Sequence, residues 1–310
     1  ALGMMACEPE FENPVDEAGA YTSGEANFTN YVAIGNSMTA GYADGALYIT
    51  GQKNSFPNIL AQQFAIVGGG DFRQPLMADN AGGLLLNGTQ ITSNRRVLAF
   101  DAEGEAGPAV YGGTSTTEVT NHLTGPFNNL GAPGAKSFHL LAPGYGNVAG
   151  VAAGLANPFF ARFASTPETT ILADAIAQDP TFFSLWIGNN DVLTFATSGG
   201  VGVDQTGNMN PADYGSDDIT DPQVFASVYS QLVSQLVGTG ADGVHGGEEY
   251  SSQLVDRPET LVAGEQFAVV EVTRAWNAPV PVGAYVRTAR DPDAAARIFF
   301  RRARVDQDLV

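Results

Sequence analysis

The chain has 310 residues, 44% of them hydrophobic, enough for one large α/β domain or two smaller ones with a sizeable core. Asp and Glu outnumber Lys and Arg by 33 to 14, and the net charge of −19 repels phosphate backbones, which argues against sequence-independent nucleic-acid binding. A lone cysteine, Cys7, excludes an internal disulfide and a Cys-based zinc cluster, and no stretch approaches the ~20 apolar residues of a membrane span.

The first residues, "ALGMMAC", are small and apolar, and an acidic stretch follows Cys7 at once. Met4-Met5-Ala6-Cys7 reads as a loose lipobox, with Cys7 carrying lipid and residues 8–28 a tether too polar to pack. The competing reading is a free thiol in an ordinary N-terminal remnant. Under the first, the protein sits in a bacterial cell envelope, held to the outer membrane by its lipid and not by a transmembrane helix.

In "YVAIGNSMTAGYADG", residues 31–45, four strand-prone residues run into Gly35-Asn36-Ser37. A buried strand with this ending delivers a serine to the carboxyl edge of a sheet, where open α/β folds place their sites. Taken alone, Ser37 is equally a turn serine. "NSFPNILAQQF" predicts a helix capped by Ser55, with Pro57 in its first turn. Residues 66–128 are rich in Gly, Asn and Thr and form a loop-rich insertion with short strands around "RRVLAF".

Regular punctuation returns at Ser165. "STPETTILADAIAQDP" predicts a helix capped by Ser or Thr, with Pro167 in its first turn and Ile171, Leu172, Ala175 and Ile176 on one face. "TFFSLWI" predicts a buried strand ending at "GNND". A helix over 222–237 is capped by Asp221, buries Val224, Phe225, Val228, Leu232 and Leu236, and ends at Gly238. Strands alternating with helices imply a parallel sheet covered on both faces. Residues 241–310 carry eight of the 14 basic residues, all arginine. Here "EQFAVVEV" and "VGAYVRT" are candidate strands and "DAAARIFFRRARV" a candidate basic helix.

Three polar, glycine-bearing segments carry the chemistry: "GNSMTAG" at 35–41, "NNLGAPGAKS" at 128–137 and "GNND" at 188–191. Each alone is a turn. Together, in this order, they supply a serine hydroxyl, a glycine N–H and an asparagine amide, which acyl transfer needs. They resemble the nucleophile, second and third blocks of the SGNH, or GDSL-type, serine hydrolases, and more closely lipoprotein members of that family from Bacteroidetes-type bacteria. Asn36 stands where the family usually has Asp. The resemblance covers about residues 28–244.

It implies a three-layer α/β/α sandwich with a parallel sheet, flavodoxin-like in order, over 29–244, an atypical tail over 245–310, and no cofactor or metal. Carried over by position, Ser37 is the nucleophile, and the Ser37 N–H, the Gly134 N–H and the Asn190 amide form the oxyanion hole. The implied substrate is a small-molecule, lipid or glycan ester. The family's Asp-x-x-His block is matched only by Asp242-Gly243-Val244-His245, making His245 the base and Asp242 its orienter. That match lies where another core strand is due, and no histidine follows it. So either His245 serves by unusual topology or the tail is an altered version of the family's. His122 and His139 read as loop or packing residues.

A non-catalytic surface lipoprotein that uses the scaffold to bind glycans or lipids is the alternative. A third reading, a calcium-dependent adhesive module, rests on the acidic loop 204–221, which lacks EF-hand spacing. "VGGGDF" at 67–72 lacks the Lys-Ser/Thr of a phosphate loop.

Overall fold

A computed structural model describes residues 22–246, 267–273 and 283–287. Cys7 and its lipobox, residues 8–21 of the tether, and the basic helix at 293–305 lie outside the described residues. Strand β1, Tyr31–Gly35, is buried along its whole length. The four-residue helix α1, Ser37–Ala40, follows at once, and a short helix α2 spans Ile49–Lys53. Helix α3, Phe56–Ile66, begins as the sequence predicts, the Ser55 hydroxyl accepting from the Asn58 N–H at 3.4 Å.

The insertion holds five short strands. These are β2 (Leu84–Leu86), β3 (Thr89–Gln90), β4 (Arg96–Phe100), β5 (Ala106–Val110) and β6 (Thr117–Glu118). They form a three-stranded sheet, β3-β2-β6, and a separate β4-β5 hairpin. One carboxylate organises the region: Asp79 accepts the N–H groups of Ala81 (2.7 Å) and Thr116 (2.6 Å) and the Thr116 hydroxyl (2.8 Å). No periodicity announces such an arrangement, because its strands are short and the apolar residues it buries, Met77, Leu84 and Val119, are scattered along the chain.

The main sheet resumes with β7, Asn129–Gly131. Helix α4 (Val148–Val151), helix α5 (Ile171–Ile176), strand β8 (Phe182–Trp186), helix α6 (Asn190–Thr197), helix α7 (Pro222–Val237) and strand β9 (Asp242–Gly246) follow. Strands β10 (Phe267–Thr273) and β11 (Gly283–Arg287) complete a six-stranded sheet of order β11-β10-β9-β8-β1-β7. Every pairing in it is parallel except that of β11 with β10. Counted in chain order, the parallel strands lie 2-1-3-4-5. The winding direction therefore reverses at β1, between β7 and β8.

Side chains alternate across a strand, and β1 divides two cores accordingly. Val32 and Ile34 pack with Ile171, Leu172 and Ala175 of α5 and with Phe225, Leu232, Val233 and Leu236 of α7. Tyr31 and Ala33 pack on the other face with Ala61 of α3 and with Phe182, against which Phe28 and Phe64 lie. Burial of each large side chain in the α7 stripe contributes about 1.5–3 kcal/mol, so Leu232→Ala is expected to cost about 2–5 kcal/mol.

Three expectations need correction. Phe28, assigned to the tether, stacks on Phe64 at 4.0 Å and meets Phe182 edge-on at 4.8 Å, so the end of that segment is part of the fold. The domain boundary at 244 falls inside β9, and the two candidate strands of the following segment, "EQFAVVEV" and "VGAYVRT", supply β10 and β11 of the same sheet. The helix expected from Ser165 begins at Ile171 and is capped by Thr170, whose hydroxyl accepts from the Ala173 N–H at 3.0 Å. Ser165 and Thr169 are held instead by Asp174, which accepts the Ser165 N–H at 3.0 Å and the Thr169 hydroxyl at 2.7 Å. Gly238 closes α7 where the sequence places it, in right-handed backbone (φ −61°), and the positive φ falls two residues later, at Gly240. No helix among the described residues is long and apolar enough to cross a membrane.

Candidate active site

The winding reverses at β1, and the carboxyl edge beside such a reversal is the usual ligand position in open parallel sheets. β1, β7 and β8 end there side by side, with Gly35 level with both Gly131 and Trp186. The three glycine-bearing segments noted in the sequence are the segments that leave these strand ends.

Two glycines let the first segment lie against the other two. A Cβ on Gly35 would fall 2.3 Å from the Trp186 carbonyl oxygen and 2.3 Å from the Thr39 hydroxyl oxygen. A Cβ on Gly131 would fall 2.3 Å from the Ala40 nitrogen. Helix α1 thus sits directly on the sheet end, with Ser37 as its first residue. Asn36 caps it, its side-chain oxygen accepting the Met38 N–H at 3.1 Å, and its amide donates to the Asn189 side-chain oxygen. At the other end Gly41 takes the left-handed conformation (φ +84°) that closes the turn.

The remaining links join the loops after β7 and β8. The Ala132 N–H donates to the Gly35 carbonyl at 2.9 Å, and the Asn129 amide to the Thr39 carbonyl at 2.8 Å. Asn190 donates one amide N–H to the Ala135 carbonyl at 2.8 Å. Asp191, wholly buried, accepts the Ser137 N–H at 2.9 Å and the Ser137 hydroxyl at 2.7 Å. Burial pushes the Asp191 carboxyl up, and the hydrogen bonds from Ser137 partly offset that. Lys136 is buried beside it, donating to the Asp218 carbonyl at 2.6 Å; burial lowers its pKa and the nearby Asp191 charge opposes the shift. The Asp191–Ser137 clasp has no counterpart in the sequence reading, although both residues stand inside quoted segments. Only their burial and partners distinguish them.

Gly134 is exposed at φ +83°, with open space where a Cβ would stand. Among the described residues, the Ser37 and Gly134 N–H groups have no acceptor and the Ser37 hydroxyl has no partner. Ser37, Gly134 and Asn190 therefore belong to one sheet edge, with two unengaged N–H groups and the second N–H of the Asn190 amide as donors.

The histidines distribute differently. His139 accepts the Lys136 N–H on Nδ1 at 3.0 Å and stacks on Tyr145 at 4.4 Å; burial, aided by the Lys136 charge, lowers its pKa to about 4. That is a packing role. His122 Nε2 lies 2.9 Å from the Ala164 carbonyl oxygen, away from this edge. His245 lies in β9, level with Leu185 of β8, which is level with Ile34 of β1. It is thus two strands, or about 10 Å, to one side of β1.

Asp242 corrects the expectation. It opens β9 level with Phe182, at the amino end of the strand. Three residues of extended backbone span about 10 Å, whereas a carboxylate orienting a histidine three residues away needs turn or helical backbone. The Asp242–His245 pairing is therefore set aside.

The acidic loop is internally bonded. Asp218 accepts the Gly215 N–H at 2.7 Å and the Val203 N–H at 2.8 Å, while Asp221 accepts the Gly207 N–H at 2.7 Å and caps α7. Among the described residues no three His, Cys, Asp or Glu side chains are grouped to hold a metal.

Compared with family models, with curated proteins and with solved structures, the chain matches none.

Proposed function

We propose that the protein is an SGNH-type serine hydrolase of carboxylic esters, on a three-layer α/β/α scaffold. What carries the reading is the convergence of the Ser37, Gly134 and Asn190 segments on the carboxyl edge at the winding reversal. The 2-1-3-4-5 strand order is that of flavodoxin-type sheets, and helices on both faces agree with it.

In the proposed reaction the Ser37 oxygen attacks the ester carbonyl carbon while its proton passes to a base. The negative oxygen of the tetrahedral intermediate is held by the Ser37 and Gly134 N–H groups and the Asn190 amide. The C–O bond to the alcohol breaks, the alcohol leaves with the proton, and water then cleaves the acyl-Ser37 ester. His245 is the candidate base, without Asp242 as its orienter. Exposed Met38, next to Ser37, and Leu193, one turn into α6, offer apolar surface to an acyl chain.

The second reading, a non-catalytic lipoprotein that binds glycans or lipids on this scaffold, is favoured by one observation: the Asp-x-x-His match is a strand and not a turn. Labelling with a fluorophosphonate and peptide mass mapping separate the two. An adduct on Ser37, absent in Ser37→Ala, upholds the hydrolase. A folded protein that takes no adduct leaves the binding scaffold.

A further inference from the structure

A groove enclosing about 590 Å³ opens at the opposite, amino-terminal edge of the sheet, where Asn30 leads into β1 and Asn128 into β7. Six residues of extended chain separate Asn30 from Asn36, about 20 Å, so the groove is not part of the Ser37 edge. Its floor is apolar, built on Phe127, Leu130 and Phe163. Its volume lies within the 300–1,000 Å³ or so of small-molecule sites.

One wall carries two charges of opposite sign, Asp71 and Arg73, two residues apart and both exposed. They are not paired with each other or with any other charge among the described residues. The cause is visible at Arg73, whose guanidinium lies 5.2 Å over the Phe127 ring and donates only to the Thr124 carbonyl, at 3.4 Å. The other lining carboxylate, Asp174, is engaged by Ser165 and Thr169. The Asp71 carboxylate accepts no hydrogen bond among the described residues. In a chain with 33 acidic side chains, a guanidinium left without a carboxylate beside a groove is an unmet valence.

We propose that this groove binds a small zwitterion of the amino-acid or dipeptide class, its carboxylate on Arg73 and its ammonium on Asp71. A planar guanidinium fork matches a carboxylate geometrically. A simple anion would meet the Asp71 charge and a simple cation the Arg73 charge, so only a ligand with both signs satisfies the wall. The apolar floor takes the side chain.

The test is calorimetric titration of the full chain with L-leucine, L-phenylalanine and glycyl-L-phenylalanine, alongside N-acetyl-L-phenylalanine and L-phenylalaninamide, which lack one charge each. Saturable binding is expected for at least one zwitterion, weakened about tenfold or more by removing either charge from the ligand. Arg73→Ala and Asp71→Asn, both at exposed positions, produce the same loss, and Ser37→Ala produces none. The proposal is overturned by no saturation below about 10 mM for any of the three zwitterions. It is overturned equally by undiminished binding of the acetylated ligand, or by binding indifferent to both wall substitutions. Because none of these readouts involves hydrolysis, the result stands whatever Ser37 does.

Discussion

Asp191→Ala is the most informative perturbation of the Ser37 edge. The wild-type carboxylate is fully buried and receives two donors from Ser137, the N–H at 2.9 Å and the hydroxyl at 2.7 Å. Truncation leaves both donors without an acceptor, each costing about 1–3 kcal/mol when buried. It also removes the negative charge beside buried Lys136. The expected loss is about 3–5 kcal/mol, the range for breaking a buried charged contact from one side. Asp191→Asn keeps one acceptor oxygen and turns an NH₂ toward the other donor, so a loss of about 1–3 kcal/mol is expected. Urea unfolding at neutral pH measures both. Ser137→Ala and the double variant complete a cycle whose coupling should be about 1–3 kcal/mol. The reasoning fails if Asp191→Ala costs under about 1 kcal/mol, or if the two substitutions simply add. In the Asn variant, fluorophosphonate labelling of Ser37 should slow, since the clasp fixes the loop that carries Gly134.

Gly35→Ala and Gly131→Ala each press a Cβ to 2.3 Å from a backbone atom. Each should cost about 1–3 kcal/mol by overpacking, measured as a lower Tm, with slower Ser37 labelling as α1 shifts. Gly134→Ala meets no atom but holds φ at +83°, so it should cost about 1–2 kcal/mol. If its N–H serves the oxyanion, hydrolysis of a chromogenic ester falls beyond what that loss explains. Asn190→Ala should lower the same rate about 10²–10³-fold, as removal of an oxyanion donor does; an unchanged rate removes Asn190 from the mechanism. The remaining prediction concerns pH. His139 titrates at about 4 in the fold and near 6.5 when unfolded. The unfolded chain therefore takes the proton first, and this contribution, complete above 6.5, is lost as pH falls toward 4. Relative to His139→Phe, which keeps the ring on Tyr145 but cannot titrate, the wild type should lose up to about 3 kcal/mol across that window.

The parts of the fold readable in the sequence are those written in apolar periodicity and capping chemistry. Helix α7 runs from its Asp221 cap to Val237, where the stripe and Gly238 place it, and β1 and β8 are short apolar runs bounded by turn residues. The departures share a cause. Thr170 and not Ser165 caps α5, because Asp174 draws Ser165 and Thr169 into a local network that the pattern of apolar residues does not encode. The insertion is organised by Asp79 for the same reason. Phe28 was hidden by polar neighbours, although a single aromatic ring suffices to extend the packing against Phe64.

At the sheet edge, the groups proposed to touch a substrate are small motifs and can be seen in one dimension; the groups that hold them in place cannot. Gly35, Asn36 and Ser37 announce a strand end, whereas Asp191 beside Asn190 looks like one more turn residue until its burial is known. The histidine shows the converse limit. Spacing alone makes Asp242 and His245 a matched pair, but spacing becomes distance only through backbone conformation. In a helix or turn a three-residue offset brings two side chains together; in β9 it holds their backbones about 10 Å apart. A motif defined by offset therefore carries a conformational condition, and strand β9 does not meet it. The condition on Ser37 is simpler, that a serine follow a parallel strand at a winding reversal, and half-buried Ser37, first residue of α1 after β1, does so. That asymmetry makes the proposed nucleophile testable by labelling and leaves the base to be found by a separate substitution, His245→Ala, once Ser37 is shown to react.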